Sequence, residues 1–216
     1  GDELSSSSTG DKNNLVFLFQ GDSITDGNRG RSADPNHIMG HGYAFSVASR
    51  IGADFAESTH SFYNRGISGN RVTELKDRWQ TDTLDIKPDV LSILIAINDA
   101  SMLVNKPKVE HSAIDLFETT YRDILSQSKK QNPDTLFVLC LPFVYPVSRV
   151  KDNWKNYSST VASLVSRTRK LAAEFNAVVV DFPATFDKAI KRVPAGYWIW
   201  DGIHPTVPGH ELMARE

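Results

Sequence analysis

The sequence predicts a three-layer α/β domain built on a parallel sheet. Three observations carry this. Five short apolar runs rich in β-branched residues are spaced along the chain, without clean apolar–polar alternation, as in strands covered on both faces. Between them lie stretches in which apolar residues recur every three or four positions, the helix period. The segments with reactive side chains follow directly after strands or sit in a late loop. That is where such sheets bind ligands, beyond the carboxyl ends of their strands.

Taken in order, residues 15–20 (Leu15-Val16-Phe17-Leu18-Phe19-Gln20) form the first expected strand, with a helix starting at Ser23. Residues 27–42 read as a long polar loop with Pro35, four glycines, His37 and His41, bordering whatever site forms at Ser23. A helix over 43–51 and a short strand around 61–64 follow. Next come a helix over 72–83, a strand over 90–97 and a loop around Pro107 and His111. A helix over 114–130, a strand over 135–141, a helix over 154–175 and a strand over 177–181 complete the alternation. In the helix of 154–175, Val161, Leu164, Val165, Thr168, Leu171, Ala172 and Phe175 make one apolar stripe. A last helix starts near Val207 and is expected to continue past Glu216.

These elements span one domain, 15–216, long enough to bury roughly 70% of its unfolded surface. Residues 1–14, with Ser5-Ser6-Ser7-Ser8, read as a disordered leader or linker. Gly1 is not a natural initiator. The expectation is therefore export to the periplasm or outside after loss of a signal, with a cytoplasmic location as the alternative. A net charge of −2 over 216 residues provides no basic field for nucleic acid or anionic lipid. No apolar run approaches the roughly 20 residues of a membrane span. The single cysteine, Cys140, excludes an internal disulfide framework and lies in an apolar run as a small buried hydrophobe.

The chemistry lies in two segments at opposite ends of the chain. One is Gly21-Asp22-Ser23-Ile24-Thr25, after the first strand; the other is Asp201-Gly202-Ile203-His204-Pro205. A serine hydroxyl is a weak nucleophile and needs a base within reach and a third group to orient that base. Ser23 is the candidate nucleophile, His204 the base and Asp201 the orienter. Ser23 also suits a helix cap, and Asp201-Gly202 a turn. The chain order Ser…Asp…His occurs in α/β-hydrolases, but their Gly-x-Ser-x-Gly elbow is absent here. Attack on a carbonyl builds an oxyanion that needs preorganised donors. The Ser23 amide, the Gly66 amide in Asn64-Arg65-Gly66-Ile67-Ser68-Gly69 and the Asn98 side chain in Ala96-Ile97-Asn98-Asp99 are the candidates. His37 and His41 are four residues apart but lack further ligands nearby, so they read as loop histidines; no metal or other cofactor is expected.

With Ser23 in GDSIT, Gly66 in NRGISG, Asn98 in AIND and His204 in DGIHP, the chain resembles the SGNH (GDSL) hydrolase superfamily from Leu15 onward. The resemblance implies a flavodoxin-like sandwich with strand order 2-1-3-4-5. It also implies a Ser23–His204–Asp201 triad, with Ser23, Gly66 and Asn98 as the oxyanion hole. One departure stands out: the family usually has Gly where this chain has Ala96. The expectation is tolerance at some cost in activity.

NRGISGNRVTELKDRW, LSILIAIND and WDGIHPTVPGH look most like bacterial acetylxylan esterases and related carbohydrate acetylesterases. That resemblance implies a serine esterase acting on acetylated carbohydrate or another small ester. With the low net charge and the lack of an apolar span, no nucleic-acid partner and no membrane insertion are expected, and the resemblance leaves room for a homo-oligomer. Asp22, Trp198 and Trp200 are candidate substrate contacts, the indoles because flat aromatic faces suit sugar rings; either Trp also suits packing of the late loop. Arg65 and Arg71 read as salt-bridged surface residues, and Trp79 as structural or an oligomer contact. The alternatives are a thioesterase or lysophospholipase, with Met102-Leu103-Val104 lining an acyl groove, and a non-catalytic carbohydrate-binding relative.

Overall fold

The computed structural model describes residues 14–106 and 111–216. The leader, apart from Asn14, and Pro107 lie outside the described residues. Five parallel strands form one sheet: β1 (Val16–Gly21), β2 (Ser61–Asn64), β3 (Val90–Leu94), β4 (Leu136–Cys140) and β5 (Val178–Val180), in the order β2-β1-β3-β4-β5. Phe17 pairs with Val90 and Gly21 with Leu94, while Val16 pairs with Ser61 and Phe19 with Asn64. Leu18, Leu91, Ile93 and Leu139 are almost completely buried, which explains why these strands carry no polar alternation. The chain leaves β1 in both directions, toward β2 and toward β3, so the switch point lies at the carboxyl end of β1, where Ser23 stands.

The helices are α1 (Ser23–Asp26), α2 (Tyr43–Asp54), α3 (Val72–Asp77), α4 (Trp79–Asp82), α5 (Ile97–Val104), α6 (His111–Gln131), α7 (Arg149–Asp152), α8 (Trp154–Glu174), α9 (Phe182–Ile190), α10 (Ala195–Trp198) and α11 (Val207–Arg215). α2, α9 and α11 pack together in one group and α3, α5, α6 and α8 in another, and the two groups cover the two faces of the sheet. Among the described residues, no helix is long and apolar enough to cross a membrane.

Several boundaries differ from the sequence expectation. The strand expected over 90–97 ends at Leu94, and Asn98 lies in the first turn of α5, not on a strand. The helix expected over 72–83 breaks at Arg78 (φ −110°, ψ 12°), where the guanidinium reaches Asn70 Oδ1, Gln20 Oε1 and Asp82 Oδ2. His111 opens α6 instead of sitting in a loop. The last strand stops at Val180 because Asp181 caps α9, its Oδ1 accepting the Ala184 N–H at 3.0 Å, with Pro183 in the first turn. Trp79 is structural as well as buried: its Nε1 donates to Ser128 Oγ at 3.0 Å. Burial pushes the Cys140 thiol up to about 12, against a weak hydrogen bond with Ser92, so it is inert at ordinary pH.

Candidate active site

The turn that carries Ser23 is held by Asp22. Its Oδ1 accepts the Ile24 N–H at 3.0 Å and so caps α1, a single helical turn closed by the Asp26 N–H to Asp22 O bond of 2.8 Å. Ser23 is the first helical residue. Its N–H belongs to the set that has no partner inside a helix, and among the described residues nothing accepts it.

The second segment arrives from the far end of the chain and is pinned on both sides. Ile199 and Pro205 form an antiparallel bridge, the Trp200 N–H donates to His204 O at 3.2 Å, and the Tyr145 N–H donates to Gly202 O at 3.0 Å. The loop so closed brings His204 Nε2 to 2.8 Å from Ser23 Oγ and His204 Nδ1 to 2.7 Å from Asp201 Oδ2. Asp201 Oδ1 also accepts the backbone N–H groups of Ile203 (2.9 Å) and His204 (2.6 Å). Burial alone would push the Asp201 carboxyl up, but these bonds and the nearby imidazole hold it below the usual carboxylate range. A carboxylate on Nδ1 leaves Nε2 to accept the serine proton.

Asn98 Nδ2 donates to Asn70 O at 3.1 Å, which fixes the amide and leaves its second N–H for another acceptor. The residue before this turn is strained. Ala96 is fully buried and sits at φ 142°, ψ −25°, a region that L side chains rarely enter. This is the physical reason a glycine suits that position.

Gly66 is placed differently from the expectation. Its N–H donates to Asn64 Oδ1 at 2.9 Å, while Asn64 Nδ2 donates to Thr25 O at 2.7 Å and Met39 O at 3.0 Å. Arg29 Nε holds the Gly66 carbonyl at 2.9 Å, and a Cβ here would strike the Asp26 backbone. Gly66 is therefore a close-packing glycine with an occupied N–H. The glycine that the sequence did not single out is Gly69. It adopts φ 84°, a Cβ there would meet no atom within 4 Å, and among the described residues nothing accepts its N–H. Asn70, which follows it, holds Asn98. The signal was present as the second glycine of NRGISG, but nothing local distinguishes the two.

Asp22 is 1% exposed, too buried to touch a substrate, and its Oδ2 has no hydrogen-bond partner. Burial pushes its carboxyl up to about 7, against the Ile24 N–H and the nearby His204, which lower it. Asp99 is also pushed up to about 7, mainly by burial, against the 3.3 Å bonds from the Val72 N–H, its own backbone N–H and the nearby Arg71, which lower it. Trp198 is buried, its Nε1 donating to the carbonyls of Ala189 and Val193, both at 3.2 Å; Trp200, directly before Asp201, is 61% exposed. Arg71 pairs with Glu74 at 2.8 Å, as expected of a surface ion pair. Arg65 instead lies over the Tyr63 ring at 5.5 Å and donates to Asn64 O. His37 lies 3.8 Å from the Asp34 carboxylate, and among the described residues no group of three or more potential ligands could hold a metal.

Comparison with known proteins matches the model of the GDSL-like lipase/acylhydrolase family to residues 19–212. An acetylxylan esterase from Geobacillus stearothermophilus is 34% identical over 203 residues, covering 92% of this chain and 90% of that protein. Its crystal structure superposes with a TM-score of 0.79 at 31% identity, over 93% of this chain and 91% of that one. A protein described as a GDSL-like lipase from Parabacteroides merdae superposes with a TM-score of 0.86 at 38% identity, over 93% of this chain and 92% of that one.

Proposed function

The chain belongs to the GDSL-like lipase/acylhydrolase family and is a carboxylic ester hydrolase, and we propose that it removes acetyl groups from poly- or oligosaccharides of plant type through an acetyl-serine intermediate. The observation that carries the mechanism is the continuous chain of bonds from Ser23 Oγ through His204 to Asp201. His204 Nε2 takes the Ser23 proton as Oγ attacks the acetyl carbonyl, and the imidazolium is held by Asp201. The oxyanion is received by the Ser23 N–H, the free N–H of Asn98 and the Gly69 N–H. Gly69 stands in the role expected of Gly66, whose own N–H is bound to Asn64. His204 then protonates the leaving sugar oxygen, and a water activated by His204 releases acetate.

Three observations support the acetyl–carbohydrate substrate over a long acyl chain. The identity to an acetylxylan esterase extends over nearly the whole chain. Of the three residues offered for an acyl groove, Leu103 and Val104 are buried and only Met102 reaches the surface. Trp200, exposed beside Asp201, offers a face for a pyranose ring.

The test is acetate release from acetylated xylo-oligosaccharides by the parent and by Ser23→Ala. Release by the parent, reduced in the variant by about 10⁴-fold or more, supports the assignment. An active Ser23→Ala variant overturns the nucleophile. A parent active only on longer-chain esters or thioesters overturns the substrate.

A further inference from the structure

We propose that Asp22 is a positioning residue for the reaction, a buried second carboxylate whose charge supports His204 while Ser23 gives up its proton. This role rests on the esterase function proposed above. It starts from a carboxyl group that is only half bonded. One oxygen, Oδ1, accepts the Ile24 N–H and caps α1; the other is buried with no hydrogen-bond partner. A cap needs only one acceptor, and Asn, Ser or Thr would supply it without burying a potential charge. The side chain is 1% exposed and belongs to the residue directly before the nucleophile, whose Oγ is 2.8 Å from His204 Nε2.

The groups facing Asp22 come from three elements: His204 from the catalytic loop, Asp99 from α5 and Tyr43 from α2. Arg78, between α3 and α4, reaches the carbonyl of the adjacent Gly21 at 3.4 Å. Asp99 repels an ionised Asp22, and a protonated His204 attracts it. Before Ser23 gives up its proton there is no imidazolium to support the Asp22 charge. When the serine proton arrives on His204, a cation appears beside a buried anion and the pair becomes favourable in surroundings of low dielectric. Asp201 meets that cation by direct contact; Asp22 meets it through space. Because burial keeps Asp22 protonated up to about neutrality, full activity requires its deprotonation in addition to that of the general base.

The experiment compares the parent with Asp22→Asn, which keeps an oxygen for the Ile24 N–H and closely matches the size of a protonated carboxyl. Both are assayed on nitrophenyl acetate across pH. The parent should show an acid limb of kcat/KM that steepens toward two protons. Asp22→Asn should show a single-proton limb and a kcat plateau about tenfold lower, with KM unchanged. The two proteins should melt alike in acid, where Asp22 is uncharged. The variant should be the more stable above neutrality, which confirms that the buried carboxyl ionises in the parent; the pH profile and kcat carry the role. A single-proton limb in the parent, or an identical profile in the variant, overturns the role of Asp22. Hydrolysis of nitrophenyl acetate with no action on acetylated sugars would instead remove only the carbohydrate substrate. A parent inert toward every ester would remove both.

Discussion

The two loops proposed to supply backbone and side-chain donors for the oxyanion are built in opposite ways. The loop 64–70 is pinned from every side. Arg65 N donates to Phe19 O, Ile67 N to Gly21 O and Ser68 N to Asp26 Oδ2, while Asn64 holds both Gly66 and the Thr25 carbonyl. The turn 96–99 rests on one strained residue, Ala96 at φ 142°, and its Asn98 side chain is fixed by a single bond to Asn70 O. A loop held by this many bonds, with the Gly69 N–H left over, mostly loses by substitution. A turn that stores backbone strain can gain.

The sharpest way to break the comparison is to remove the donor of the weakly held turn. Asn98→Ala should lower kcat by about 10²–10³-fold, roughly 2.7–4 kcal/mol of transition-state stabilisation, with little change in KM. A variant with near-parent kcat in steady-state assays would remove Asn98 from the oxyanion site.

Acid separates the two loops next. The pinned side is anchored through α1 to α2: Tyr43 OH bonds Thr25 Oγ1 at 2.6 Å, and the Tyr43 N–H donates to His210 Nδ1 at 2.9 Å. That imidazole must stay neutral to accept. Burial, with help from His41 and His204, holds it down at about 4. The unfolded chain, with an ordinary histidine, takes up its proton first as pH falls. The stabilisation is therefore complete above about 6.5 and is lost as pH drops toward 4, to a total of about 3 kcal/mol. Thermal melts of the parent and His210→Gln across this window check it: the Gln variant should lose this part of the pH dependence.

The smallest effect carries the opposite sign. Ala96→Gly relieves about 1–3 kcal/mol of backbone strain and adds about 0.5–1 kcal/mol of unfolded-state entropy. The net expectation is about 1 kcal/mol more stability, read as a higher midpoint in urea, with kcat equal or higher. A less stable Ala96→Gly protein would mean that the methyl group packs better than the strain costs.

Much of this was legible in the chain because it is local. Asp201 and His204 are three residues apart in one loop, and Ser23 follows directly on a continuous apolar strand. What stayed hidden was decided by partners distant in sequence. Gly66 and Gly69 are equivalent in the motif, but Asn64 occupies only the Gly66 amide. Trp198 and Trp200 are equally aromatic, but only Trp198 finds carbonyls at Ala189 and Val193 to bury against. Asp181 and Pro183 form a recognisable start for helix α9, but the apolar run before them continues up to the cap and masks it.

By itself, the sequence determined the parallel α/β sandwich, the pairing of Ser23, His204 and Asp201 and the position of the residue that departs from the family. Hydrophobic period, spacing within one loop and residue type act over short distances and need no folded partner to be read. Only the tertiary structure decided which amides remain free, which tryptophan faces solvent and which aspartate is buried half bonded. Each depends on whether a polar group has already met its partner, and those partners are supplied by the fold from residues tens of positions away.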